Sequence, residues 1–107
     1  MTTPVPRRGE VWLADLAGDK VRPIVVMSPS RIARLLHSVI AAPVTSTVRD
    51  IPTEVLLSEA EGVRRHSAAN FDNLQLVSRG SLIRCIGGLG DAKLAEACRS
   101  LRYAVSC

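Results

Sequence analysis

Turn-forming residues interrupt this chain so often that, before residue 91, no segment has room for more than a short strand or a single turn of helix. Pro4 and Pro6 break the opening stretch, so residues 1–8 are expected to form a loose, flexible arm. Breaks follow at 17–20, at 47–50, around Gly62, at Asp72-Asn73 and at Gly87-Gly88-Leu89-Gly90. The runs between them are rich in Val, Ile, Leu and Ala, and their spacing predicts strands over 9–16, 22–28, 38–46, 52–57, 67–71, 74–77 and 81–86. Val11 and Leu13 are expected on one face of the first strand and Trp12 on the other. Pro23 stands near the start of the second, where a missing N–H is tolerated. Pro43 marks an edge or bulge in the third. Ser28-Pro29-Ser30 predicts a capped start to a short helix over 31–36. Only from Asp91 does a long uninterrupted pattern appear: Leu94, Cys98, Leu101 and Val105 form one apolar stripe of an amphipathic helix. Short connections favour antiparallel pairing, so the expected architecture is mainly β with α, a small barrel or half-barrel with a helix packed on it.

At 107 residues the chain closes one hydrophobic core, and residues 9–107 are expected to be a single domain. Only Trp12, Phe71 and Tyr103 are aromatic, so aliphatic side chains must fill that core. So small a domain buries a modest fraction of its surface, which favours a homodimer. The formal charge is +4, and 12 of the 14 basic residues are Arg, the side chain that forks onto phosphate and stacks on bases. Nucleic acid is therefore one favoured partner; high-GC coding is an equal explanation. Three widely spaced cysteines (Cys85, Cys98, Cys107) without a C-x-x-C argue against a disulfide framework or a zinc site. No signal peptide or membrane-length apolar run is present, so a cytoplasmic protein without membrane association is expected.

The chain has no phosphate-binding glycine loop, nucleophile elbow or metal-ligand pair, and no cofactor is expected. His37 falls at a helix–strand junction and His66 in a polar loop, and both read as solvated loop residues. What remains is Arg22 at the head of one strand and Thr45-Ser46-Thr47 at the end of the next. If the two strands are neighbours, a guanidinium and a hydroxyl meet at one rim of the sheet. RNA cleavage asks for little more, because the 2′-hydroxyl is a built-in nucleophile and the developing phosphorane charge needs fixed donors. The same residue types also occur as an edge charge and an ordinary turn, and spacing does not decide between the two.

Five segments together resemble the MazF/PemK toxins. They are Arg8-Gly-Glu-Val-Trp-Leu-Ala-Asp-Leu16, Arg22-Pro-Ile-Val-Val-Met-Ser28, Ala42-Pro-Val-Thr-Ser-Thr-Val-Arg49 with Pro52-Thr-Glu-Val55, Phe71-Asp72-Asn73, and Ile86-Gly87-Gly88-Leu89. The resemblance runs over about residues 7–103 in the family's order. It implies an SH3-like barrel of the CcdB/MazF kind and a homodimer. It also implies a sequence-specific, metal-independent endoribonuclease that leaves 2′,3′-cyclic phosphate and 5′-hydroxyl ends on single-stranded RNA. Arg22 and Thr45 match the family's catalytic pair. A cognate antitoxin with an acidic, disordered tail would lie along the same basic groove. Candidate RNA contacts are Trp12 by stacking, Lys20 and Arg49 toward phosphate, Ser46, and the amides of Asn73 and Gln75 toward base edges. Two departures stand out. The connection before Arg22 is shorter than the family's, with Asp19 and Lys20 as substitutes for its polar contacts, and Gln75 replaces an Arg common in the family. The alternatives are a CcdB-type gyrase poison acting through protein contacts, and an RNA-binding barrel without catalysis.

Overall fold

The computed structural model describes residues 3–16 and 20–106; Asp19 and Cys107 lie outside the described residues. Seven strands are present: β1 (Glu10–Leu16), β2 (Lys20–Val26), β3 (Ser38–Thr45), β4 (Glu54–Leu57), β5 (Ser67–Asn70), β6 (Gln75–Ser78) and β7 (Leu82–Gly88). They are accompanied by a short helix α1 (Ser30–Ala33) and a terminal helix α2 (Asp91–Val105). All pairings are antiparallel, in the order β4-β5-β3-β2-β1-β7, with β6 pairing β3. No described pairing joins β4 to β7, so the expected barrel is an open, curved sheet.

β3 holds this sheet together. One of its edges pairs with β2; the other is shared end to end, by β6 over Ser38–Ala41 and by β5 at Val44–Thr45. Pro43 falls in the gap between those two partners, where an absent N–H interrupts neither ladder.

β2 is central, and its alternate side chains enter two separate cores. Val25 joins Val11, Val44, Val55, Leu57 and Phe71 under α2, whereas Ile24 and Val26 join Ala14, Val39, Ala41 and Val77 on the other side. Coverage on both faces is why this strand reads as a continuous apolar run. From α2, Leu94, Ala97, Cys98, Leu101 and Ala104 meet the first core. Val105, expected on that stripe, is instead 52% exposed as the last residue of α2.

Two local expectations change. Helix α1 begins after Pro29 without a side-chain cap. The Ser28 hydroxyl instead accepts the Ile40 N–H at 2.8 Å and that of Ser30 accepts the Arg8 N–H at 2.9 Å, since these backbone donors otherwise lack partners. Residues 3–8 lack regular structure but make contacts with the domain. Pro6 is buried, Arg8 Nε donates to the Met27 carbonyl at 2.9 Å, and Arg79 Nε donates to the Pro4 carbonyl at 2.8 Å.

Candidate active site

The β2–β3 register places Ile24 opposite Pro43, Val25 opposite Ala42 and Val26 opposite Ala41. Two residues beyond the Ile24–Pro43 pair, Arg22 and Thr45 both border the same two clefts. Alternation puts both on one face of the sheet. Arg22 is exposed and Thr45 half-buried, at the end of the seam where neither core closes over the strands. Thr45 Oγ1 accepts the Thr47 N–H at 3.1 Å, which fixes the hydroxyl oxygen and leaves its hydrogen free to be donated. Among the described residues no carboxylate pairs with the Arg22 guanidinium.

Arg22 borders three adjoining clefts. The first, about 580 Å³, is also bordered by Lys20, Thr45, Ser46, Arg64, Arg65 and Arg84 over a floor that includes Leu13, Val44 and Ile86. The second, about 630 Å³, runs past Lys20, Asn73 and Gln75. The third, about 280 Å³, holds Thr45, Thr47, Arg49, Asn70 and Asn73. No Asp, Glu or His borders any of them among the described residues. Nor do three or more His, Cys, Asp or Glu side chains cluster in a way that holds a metal ion.

Of the residues singled out in the sequence, Arg22, Thr45, Lys20, Ser46, Arg49, Asn73 and Gln75 are therefore brought to one region, and two of the eight behave differently from expectation. Trp12 borders none of these clefts: its Nε1 donates to Glu10 Oε1 at 3.0 Å and its ring packs on the second core. Arg49 borders the third cleft, but carboxylates already hold it. Its Nε donates to Glu54 Oε2 at 2.6 Å, and its two terminal nitrogens donate to Asp72 at 3.0 and 3.4 Å. Glu54 also accepts the backbone N–H groups of Arg49 and Asp50 at 2.9 and 3.0 Å. Asp72, first, and Glu54 raise the Arg49 pKa above its ordinary value. Burial alone pushes Glu54 upward, but the Arg49 contacts outweigh it and hold the carboxyl below its usual range; Asp72 is held low chiefly by the same guanidinium. Arg49 is thus a brace for the loop after Thr45 and not a free phosphate-binding cation.

The structure adds Arg84 and Asn70, and brings the Arg64–Arg65 pair, which the sequence offers only as a wider positive field, to the first cleft. Arg84 faces Leu13 across the β1–β7 ladder, a contact between distant parts of the chain that no local pattern announces. The Asn70 carbonyl oxygen is buried without a hydrogen-bond partner.

The family described as PemK-like, MazF-like toxin of type II toxin-antitoxin system matches residues 7–105. The chain is 36% identical over 106 residues to a probable endoribonuclease MazF5 of Mycobacterium tuberculosis, covering 98% of this chain and 97% of that one. Its fold is similar to that of the M. tuberculosis toxin MazF-mt6, with a TM-score of 0.85 at 29% identity over 91% of this chain and 96% of that one. It is also similar to a mycobacterial endoribonuclease solved in complex with its cognate antitoxin, with a TM-score of 0.83 at 27% identity over 94% and 95% of the two chains.

Proposed function

This chain belongs to the PemK/MazF toxin family of type II toxin–antitoxin systems, and from that premise we propose that it is an endoribonuclease toxin that cuts single-stranded RNA at a short sequence without a metal ion. The observation that supports the reading is that Arg22, without a carboxylate partner among the described residues, and Thr45 border the same basic cleft.

In the proposed reaction the 2′-oxygen attacks phosphorus as its O–H bond breaks, and the bond from phosphorus to the 5′-oxygen breaks in line. The products are a 2′,3′-cyclic phosphate and a 5′-hydroxyl. Arg22 stabilises the phosphorane charge through forked N–H donors, and the Thr45 hydroxyl donates to a phosphoryl oxygen and fixes its orientation. A guanidinium releases protons reluctantly, so the proton leaves the 2′-oxygen and reaches the 5′-oxygen through water in the open clefts. Growth inhibition follows from loss of intact message in the cytoplasm. A cognate antitoxin with an acidic tail neutralises the toxin by occupying the cations of the first cleft. The toxin acts as a homodimer; a single copy leaves Leu35 and Leu76 each 74% exposed.

The test is incubation of the purified protein with a long RNA in excess chelator, followed by mapping of 5′ ends. Cuts are expected at one recurring short sequence. Arg22→Ala abolishes them, and Thr45→Ala slows them by about 100- to 1000-fold. Undiminished cutting by Arg22→Ala, or cutting that stops in chelator, overturns the proposal.

A further inference from the structure

Arg22 separates two unlike surfaces. On one side lies the first cleft, whose border carries five cations (Lys20, Arg22, Arg64, Arg65, Arg84) and no carboxylate or side-chain amide among the described residues. Its floor follows a row across the sheet, with Arg84 opposite Leu13 and Leu13 opposite Pro23, and Val44 also borders it. Of its hydroxyls, that of Ser67 already donates to the Arg65 carbonyl at 2.9 Å. A surface of this kind attracts phosphates and accepts the face of any base, but offers few groups that tell one base edge from another.

On the other side, Asn70, Asn73, Gln75 and Thr47 border the second and third clefts. Amides present a donor and an acceptor together, the pairing that base edges require. The Asn70 oxygen is buried and unpartnered, and a buried acceptor left without a donor costs stability. Asn70 borders the third cleft, and a turn of its side chain into that cleft would let a base amino or imino group supply the donor.

We propose that the RNA strand crosses the sheet at Arg22 in two functionally distinct halves. Nucleotides on the Asn70–Asn73–Gln75 side are recognised by their bases, with Asn70 as a specificity-determining residue. Nucleotides on the Arg64–Arg65–Arg84 side are held by their phosphates whatever their sequence. This inference rests on the RNA-cleaving reading given above.

The experiment compares three proteins with the parent: Arg64→Gln/Arg65→Gln/Arg84→Gln, Asn70→Leu, and Asn73→Ala/Gln75→Ala. Binding is measured against salt on a single-stranded RNA that carries the mapped cut sequence with a 2′-deoxy nucleotide at the cut, and on a scrambled RNA. Cut positions are mapped separately on a long RNA. The cation variant is expected to bind both RNAs more weakly, with the slope of log affinity against log salt reduced by about 2, since each lost contact to a single strand is worth roughly 0.7. Its cut sequence stays that of the parent. The amide variants are expected to keep the parent's salt slope and to cut at a broadened set of sequences. Because Asn70 is partly buried, the Asn73→Ala/Gln75→Ala pair, with Asn73 exposed and Gln75 half-buried, provides the same readout if Asn70→Leu does not fold. A changed cut sequence in the cation variant, or an unchanged one in Asn73→Ala/Gln75→Ala, overturns the inference. So does a cation variant that binds RNA as the parent does but loses binding of a poly-glutamate peptide, which assigns the cleft to an acidic protein. Failure of the RNA-cleaving reading is seen separately, as an Arg22→Ala protein that cuts like the parent, while the binding slopes remain measurable on the deoxy RNA.

Discussion

Arg49 and Glu54 show how a residue's role depends on what it touches. Glu54 is buried, with a side chain 1% exposed, and its carboxylate is met by the Arg49 guanidinium and by two backbone N–H groups. Its pKa and that of Asp72 are lowered in the folded state. A depressed carboxyl contributes stability above its unfolded value of about 4, and that contribution is lost as pH falls through the folded value. Thermal melts are therefore expected to hold level from pH 7 to about 5 and to fall below about 4. Arg49→Gln lowers Tm at pH 7 and flattens the acid fall, because the buried carboxyl then gains from protonation. A pH profile superimposable on the parent's would show that the pair contributes nothing. At this scale the sequence was only partly readable. Strand period and chain order offer Arg22 and Thr45 as possible neighbours, but only the family resemblance singles them out as a candidate pair. The engagement of Arg49 was not readable, because one of its partners lies 23 residues away and is reached only through folding.

At the scale of elements, the connection after β4 is fixed by two glycines. Gly62 adopts φ +99°, and a Cβ there would collide with the Ile86 carbonyl; a Cβ on Gly87 would collide with the Glu61 carbonyl. The backbone of the Ser58-capped turn thus lies directly on β7, which brings Arg64 and Arg65 to the cleft that Arg84 also borders. Gly62→Ala is expected to cost roughly 1–3 kcal/mol from backbone strain before any displacement, lowering Tm by about 5 °C or more. The melt should be accompanied by the weakened RNA binding expected of the cation variant. A Gly62→Ala protein with the parent's Tm and affinity would mean that the approach is not needed. The strands themselves were legible, since each is a short apolar run bounded by turn-forming residues. Their partners were less so. Residues 67–71 and 74–77, close in sequence, do not pair with each other; both pair with β3. The open sheet was likewise beyond local pattern, because closure depends on whether the first and last strands of the order meet.

For the molecule as a whole, the sheet divides one small chain into two aliphatic cores, and the clefts open where both end. Burial is incomplete: Ile40 and Leu76 face each other across β3 and β6, 43% and 74% exposed. Sedimentation is expected to report twice the 11.5 kDa chain mass at concentrations where RNA is cut. A species of single-chain mass under those conditions would rule out the homodimer. No described helix is long and apolar enough to cross a membrane. The antiparallel seam between β2 and β3 has one more consequence. Since side chains swap faces at every step, a slip of one residue would present Val44 or Ser46 in place of the threonine. A chain threaded out of step would therefore lack the proposed pair, which makes correct folding a precondition of the proposed cutting.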